Sequence, residues 1–123
     1  MSDKQFFTVE EANELLPTIE PLLEGLRDAQ AVMEARQDEV MESSPTNGGG
    51  EAHREFLQAS SSAARATATL EELGIVLRDP STGLIDFHSQ RDGEEVFLCW
   101  RLGEDAIAWW HPVDTGFSGR RPL

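Results

Sequence analysis

Leu70-Glu71-Glu72-Leu73-Gly74-Ile75-Val76-Leu77 is where the chain changes period. Upstream, Ala52, Phe56, Ala59, Ala63, Ala66, Leu70 and Leu73 recur at alternating steps of four and three, the spacing of a helix seam. Downstream, the apolar residues alternate one by one, the spacing of strands. Gly74 between them is a helix C-cap, because glycine accepts the left-handed angles that close a helix. The switch predicts an α+β protein, helical in its first part and an antiparallel sheet in its second.

Toward the N-terminus, Thr8-Val9-Glu10-Glu11 is a capping box that starts a helix near Val9, with Phe6 or Phe7 as its staple. Pro17 and Pro21 predict a bend near Leu16–Pro17, because Leu16 precedes a proline. A long helix then runs to about Met41, with Leu15, Ile19, Leu22, Leu26, Ala29, Met33 and Val40 as its apolar stripe. The polar and glycine-rich residues 43–50 are a loop. Two helices so joined form a bent, long antiparallel helical hairpin over residues 9–73.

Toward the C-terminus, the sheet occupies residues 75–111 as three to four strands, followed by an irregular tail, 112–123; the whole is read as a single domain, 1–123. Ile75-Val76-Leu77 leads into a turn at Asp79–Gly83, and Leu84–Phe87 leads toward a hairpin at Asp92-Gly93. The last two strands are Glu95–Leu102 and Ala106–His111. With Glu104-Asp105 at the hairpin tip, Trp100 meets Trp109, Leu98 meets His111 and Cys99 meets Trp110. A two-residue turn at Asp92-Gly93 sets Ile85 beside Trp100, Asp86 beside Cys99 and His88 beside Phe97. One face is then apolar, with Trp100 and Trp109, and packs on the helices. The other carries Leu84, Asp86, His88, Phe97, Cys99, Arg101 and Trp110. A slip of one residue exchanges the faces.

That second face is where a site is expected. Asp86 and Arg101 are diagonal neighbours, either a cross-strand ion pair or an arginine oriented for a carboxylate or phosphate ligand. In the tail, glycines flank Phe117, so it either folds back over Trp110 with Arg120 near Asp86 or Asp114, or frays. The ligand-binding candidates are Asp86, Arg101, Cys99, Trp110 and Arg120. A divalent metal has His88, His111, Asp86 and Asp114 as candidate ligands, although this pairing puts the two histidines on opposite faces. No Cys-x-x-Cys or His-Glu-x-x-His motif is present. Cys99, mid-strand, reads as a packed residue rather than a nucleophile. No catalytic constellation is complete.

Charge narrows the partners. The chain carries −13, of which −10 falls in residues 1–73. Such a field repels nucleic acid and anionic membrane surfaces. Acidic pairs four apart, such as Glu10/Glu14 and Glu20/Glu24, are solvated helix faces that also offer themselves to a protein partner. A single cysteine fits a reducing compartment, and no stretch approaches the roughly 20 apolar residues that span a bilayer. The expectation is a cytoplasmic protein.

Phe7-Thr8-Val9-Glu10-Glu11-Ala12-Asn13-Glu14-Leu15-Leu16-Pro17 resembles the opening of a family of short bacterial proteins known only as a domain of unknown function. The likeness continues in Asp79-Pro80, Gly83–Phe87, Leu98-Cys99-Trp100-Arg101-Leu102-Gly103-Glu104, Trp109-Trp110-His111 and Gly116-Phe117-Ser118-Gly119-Arg120. It implies a small bacterial cytosolic protein and brings no activity or catalytic residue. The residues favour a non-catalytic binding or assembly protein that uses its acidic hairpin for a partner or for homodimerisation. The alternative is a metal- or small-anion-binding protein, or an enzyme, with its site on the second face of the sheet.

Overall fold

The capping box forms as its residue types require. The Thr8 amide donates to Glu11 Oε1 at 2.9 Å, and the Glu11 amide donates to Thr8 Oγ1 at 3.1 Å. Helix α1 therefore starts at Val9 and runs to Glu42. Ahead of it, Phe7 is the staple: it is buried, and its ring meets Phe87 edge-on at 5.3 Å. The computed structural model describes residues 5–42 and 50–123. The predicted loop therefore lies outside the described residues except for Gly50, as does the side chain of Val40.

Pro17 and Pro21 both lie inside α1, so the bend expected at Leu16–Pro17 leaves one continuous element. Both prolines are exposed. Their rings thus point away from the core, and α1 gives up two backbone donors without ending. The buried stripe is Ala12, Leu16, Ile19, Leu23, Leu26 and Ala29. Leu16 and Leu23 thus replace the expected Leu15 and Leu22, which are only partly buried. Helix α2, Gly50–Glu72, returns antiparallel, and Arg36 reaches Glu55 across the pair at 2.9 Å. Its seam falls where the heptad spacing put it, with Ala59 and Leu70 buried and Ala63, Ala66 and Leu73 half-buried.

Gly74 closes α2 with φ 82°. Five antiparallel strands follow, one more than the upper expectation: β1 Ile75–Asp79, β2 Leu84–Arg91, β3 Glu94–Arg101, β4 Trp109–Pro112 and β5 Arg121–Pro122. Their spatial order is their sequence order. Asp92 and Gly93, with φ 53° and 83°, form the two-residue turn expected between β2 and β3. That turn sets Ile85 opposite Trp100, Asp86 opposite Cys99 and His88 opposite Phe97, as read from the sequence. Trp100, Phe87, Ile85 and Leu98 then face Ile19, Leu23 and Leu70 in the core between sheet and helices.

The pairing of β4 differs from the expected hairpin by one residue. Cys99 is opposite Trp109, Leu98 opposite Trp110, and Phe97 opposite His111. The reason lies in residues 102–108, which bond elsewhere instead of forming a tight turn. The Leu102 amide donates to the Gly83 carbonyl at 3.1 Å. This approach needs glycine, because a Cβ on Gly83 would lie 2.6 Å from Leu102 Cβ. The Ile107 amide donates to Asn13 Oδ1 at 2.8 Å, so α1 holds the link open. The slip moves Trp110 onto the helix side, against the core, and carries His111 to the second face.

The tail, expected to be irregular, contains a 3₁₀ turn at Phe117–Gly119 and the two-residue strand β5. β5 pairs Pro122 with Trp109 and Arg121 with Trp110. The returning tail thus supplies the edge strand of the sheet, beside β4.

Candidate functional site

Alternation along each strand assembles the second face. Asp86, Cys99 and Trp109 form one row across β2, β3 and β4, and His88, Phe97 and His111 form the next. Asp86, Cys99 and His111 are 2%, 1% and 1% exposed, an unusual depth for a carboxylate and an imidazole. Their candidate donor atoms all lie within 4.8 Å of one another.

Asp86 is the centre. Its Oδ2 accepts from Arg78 Nε at 2.8 Å and lies 3.0 Å from His111 Nε2. Its Oδ1 is buried without a hydrogen bond. His111 Nδ1 lies 2.8 Å from the Pro112 carbonyl oxygen. Each ring nitrogen therefore faces an acceptor. A neutral imidazole satisfies one of them as donor, and the imidazolium satisfies both. Burial pushes the Cys99 thiol up to about 12, and the adjacent Asp86 charge adds to the shift. Without a metal the sulfur is a thiol across the physiological range and a poor nucleophile.

Arg78 reaches Asp86 because it follows Val76, which is opposite Asp86, by two residues and so shares its face. Leu77 pairs with Ile85 and Asp79 with Leu84, so a bulge at this point leaves Arg78 without a cross-strand partner. Its guanidinium also lies 4.9 Å over the Phe97 ring, whose other neighbours are His88 at 4.9 Å and His111 at 5.4 Å. Beside Cys99, Arg120 stacks between Trp109 at 4.8 Å and Phe117 at 4.6 Å, and donates to Glu104 Oε2 at 2.7 Å. Glu104 Oε1 accepts the Arg101 amide at 2.7 Å, so one carboxylate ties the β3–β4 link to the tail.

The sequence profile of the uncharacterised conserved protein family DUF2203 matches residues 5–123. The chain belongs to the DUF2203 family. No curated protein and no solved structure shows a significant match. The family is one of unknown function, as the motifs at both ends of the chain suggested.

In this DUF2203 fold the candidates divide. Asp86, Cys99 and His111 come together. Among the described residues they are the one group of His, Cys, Asp and Glu side chains placed to share an ion. The two histidines, expected on opposite faces, share one face because of the β4 slip, although the His88 ring packs on Phe97. Asp114 is exposed and outside the group. Arg101 does not meet Asp86, since Arg78 takes that carboxylate; instead it lies 5.0 Å over Phe117. Trp110 faces the helix side, between Arg91 at 4.8 Å and Arg121 at 5.2 Å. Phe117 therefore covers arginines and not Trp110, and Arg120 meets Glu104 and not Asp86 or Asp114.

Arg78, Glu104 and Trp109 were missed as members of this face. Arg78 continues the alternation of Val76, a signal lost by ending the first strand at Leu77. Glu104, next to Asp105, has the pattern of a solvated turn tip, which hides its bond to Arg120.

The helical hairpin offers a second surface. Between α1 and α2 lies a groove of about 440 Å³, lined by Gly25, Ala29, Val32, Ala59 and Ser62, with Asp28 and Glu55 among its carboxylates. Val32 and, on α2, Leu57 are exposed apolar side chains of the same hairpin. No helix of the described residues is long and apolar enough to cross a membrane.

Proposed function

We propose that this DUF2203 chain is a non-catalytic assembly protein that self-associates through its helical hairpin. The groove between α1 and α2 carries the reading. Its small residues let a helix of a second copy approach closely, and two hairpins so joined make a four-helix bundle. The hairpin's net charge of −10 opposes this and is offset only locally by ion pairs, so the dimer is expected to tighten as added salt screens the repulsion. Arg36 bonds Glu55 at 2.9 Å and Glu39 at 3.0 Å, and Arg27 lies 3.4 Å from Asp28.

Sedimentation velocity at tens of micromolar tests the proposal. The expected species is a dimer of the 13.6 kDa chain, and Val32→Asp with Leu57→Asp should return it to a monomer with unchanged circular dichroism. A wild-type monomer under these conditions sinks the reading.

A further inference from the structure

We propose that Asp86, Cys99 and His111 bind a divalent transition-metal ion of the borderline class to which zinc belongs. The donor set is one carboxylate oxygen, one sulfur and one imidazole nitrogen, gathered from β2, β3 and β4. Such a mixture suits zinc and cobalt, whereas magnesium and calcium prefer oxygen alone. Three protein donors leave a fourth position open, the arrangement of an exchangeable or reactive site rather than a closed structural one.

The outer contacts favour this use. Ligands of a tetrahedral ion stand roughly 3.5 Å apart, and the three donor atoms here are already within 4.8 Å of one another. His111 Nδ1 is held by the Pro112 carbonyl at 2.8 Å, the kind of contact that fixes a ligating ring and aims its other nitrogen at a metal. Asp86 Oδ2 is held by Arg78, which orients the carboxylate, while Oδ1 is buried and has no hydrogen bond. Among the described residues the only further donor beside the carboxylate is the weak Cys99 thiol, so an oxygen in that state is costly to keep unless something cationic approaches it. A metal accepting Oδ1 leaves the Arg78 bond intact.

Charge and protons balance. When the ion binds, the Cys99 thiol gives its proton to solvent, and any proton on His111 Nε2 leaves with it. Thiolate and Asp86 together carry −2, which offsets the divalent ion, while the further positive charge of Arg78 on Asp86 is half-exposed and screened by solvent. Arg120 adds little opposing charge, because Glu104 is bonded to it at 2.7 Å. Arg78, with its side chain 42% exposed, is the point at which the buried cluster meets solvent. Affinity is expected to rise with pH, because binding displaces the thiol proton.

Cobalt(II) titration of the metal-stripped full chain tests the site, since sulfur bound to cobalt gives a near-ultraviolet charge-transfer band. The expected result is a band that saturates at one ion per chain, is displaced by zinc, and is absent from Cys99→Ser. His111→Gln should weaken affinity at least tenfold. A chain that is folded by circular dichroism yet develops no charge-transfer band overturns the proposal, as does a band that survives in Cys99→Ser. Should Cys99→Ser fail to fold, Asp86→Asn replaces it. A spectrum and affinity unchanged by Asp86→Asn would also overturn the assignment.

Discussion

At the scale of the residue, Asp86 holds the second face together. Replacing it with alanine leaves a buried imidazole and a guanidinium without their acceptor. Breaking a buried charged network by removing one partner costs about 3–5 kcal/mol, so urea denaturation of Asp86→Ala should show a loss of that order. Cys99 gives a prediction in pH. Folded, it keeps its proton to about 12, against 9.0 for a free thiol, so its contribution to stability is complete below pH 9. As pH rises from there the unfolded chain loses a proton that the folded chain retains, and stability falls toward pH 12. The chain has no tyrosine, so few other groups titrate in that window. Denaturation midpoints measured across it should fall for wild type and less for Cys99→Ala. For the same reason, and because the side chain is buried, native alkylation by iodoacetamide at pH 8 should be at least about a hundredfold slower than in urea. Asp86, Cys99 and His111 could each be picked from the sequence by their chemistry. Their convergence could not, because it depends on where β4 pairs; Arg78, by contrast, is legible from the alternation of Val76 once β1 is carried on to Asp79.

Among the elements, those whose geometry is local were legible. The capping box, the α2 seam, the Gly74 cap and the Asp92-Gly93 turn each depend on residues near one another in sequence, and each lies where its pattern put it. The phase of α1 is not legible in the same way, because a leucine before a proline has the signature of a break, whereas Leu16 is core. The β4 register was misread because its determinant is distant: Asn13, in the first turns of α1, takes the Ile107 amide. Two acidic residues at 104 and 105 resemble a hairpin tip, and only the helix packed beside them shows otherwise. Asn13→Ala should therefore destabilise the fold by about 1–3 kcal/mol through an unsatisfied amide. In hydrogen exchange, the Ile107 amide should lose protection well before those of β2 and β3.

For the whole molecule, charge is the dominant quantity. With −13 on 123 residues, the compact state repels itself more than the expanded chain does. Adding sodium chloride from low to physiological strength should raise the melting temperature by screening that repulsion. A melting temperature that falls instead would mean that the arginine pairs outweigh the repulsion. The strand order β1-β2-β3-β4-β5 has a consequence for folding kinetics. Each strand pairs with its neighbour in sequence, and the two helices do the same, so each half closes only short loops and is expected to form early. The joining contacts are of another kind. The Phe7 amide donates to the His88 carbonyl, and the Ile107 amide reaches back to Asn13 across most of the chain. They are expected to close last, and until they do, the apolar face of each half is bare. That interval, rather than the finished fold, is where a crowded solution competes with the native structure.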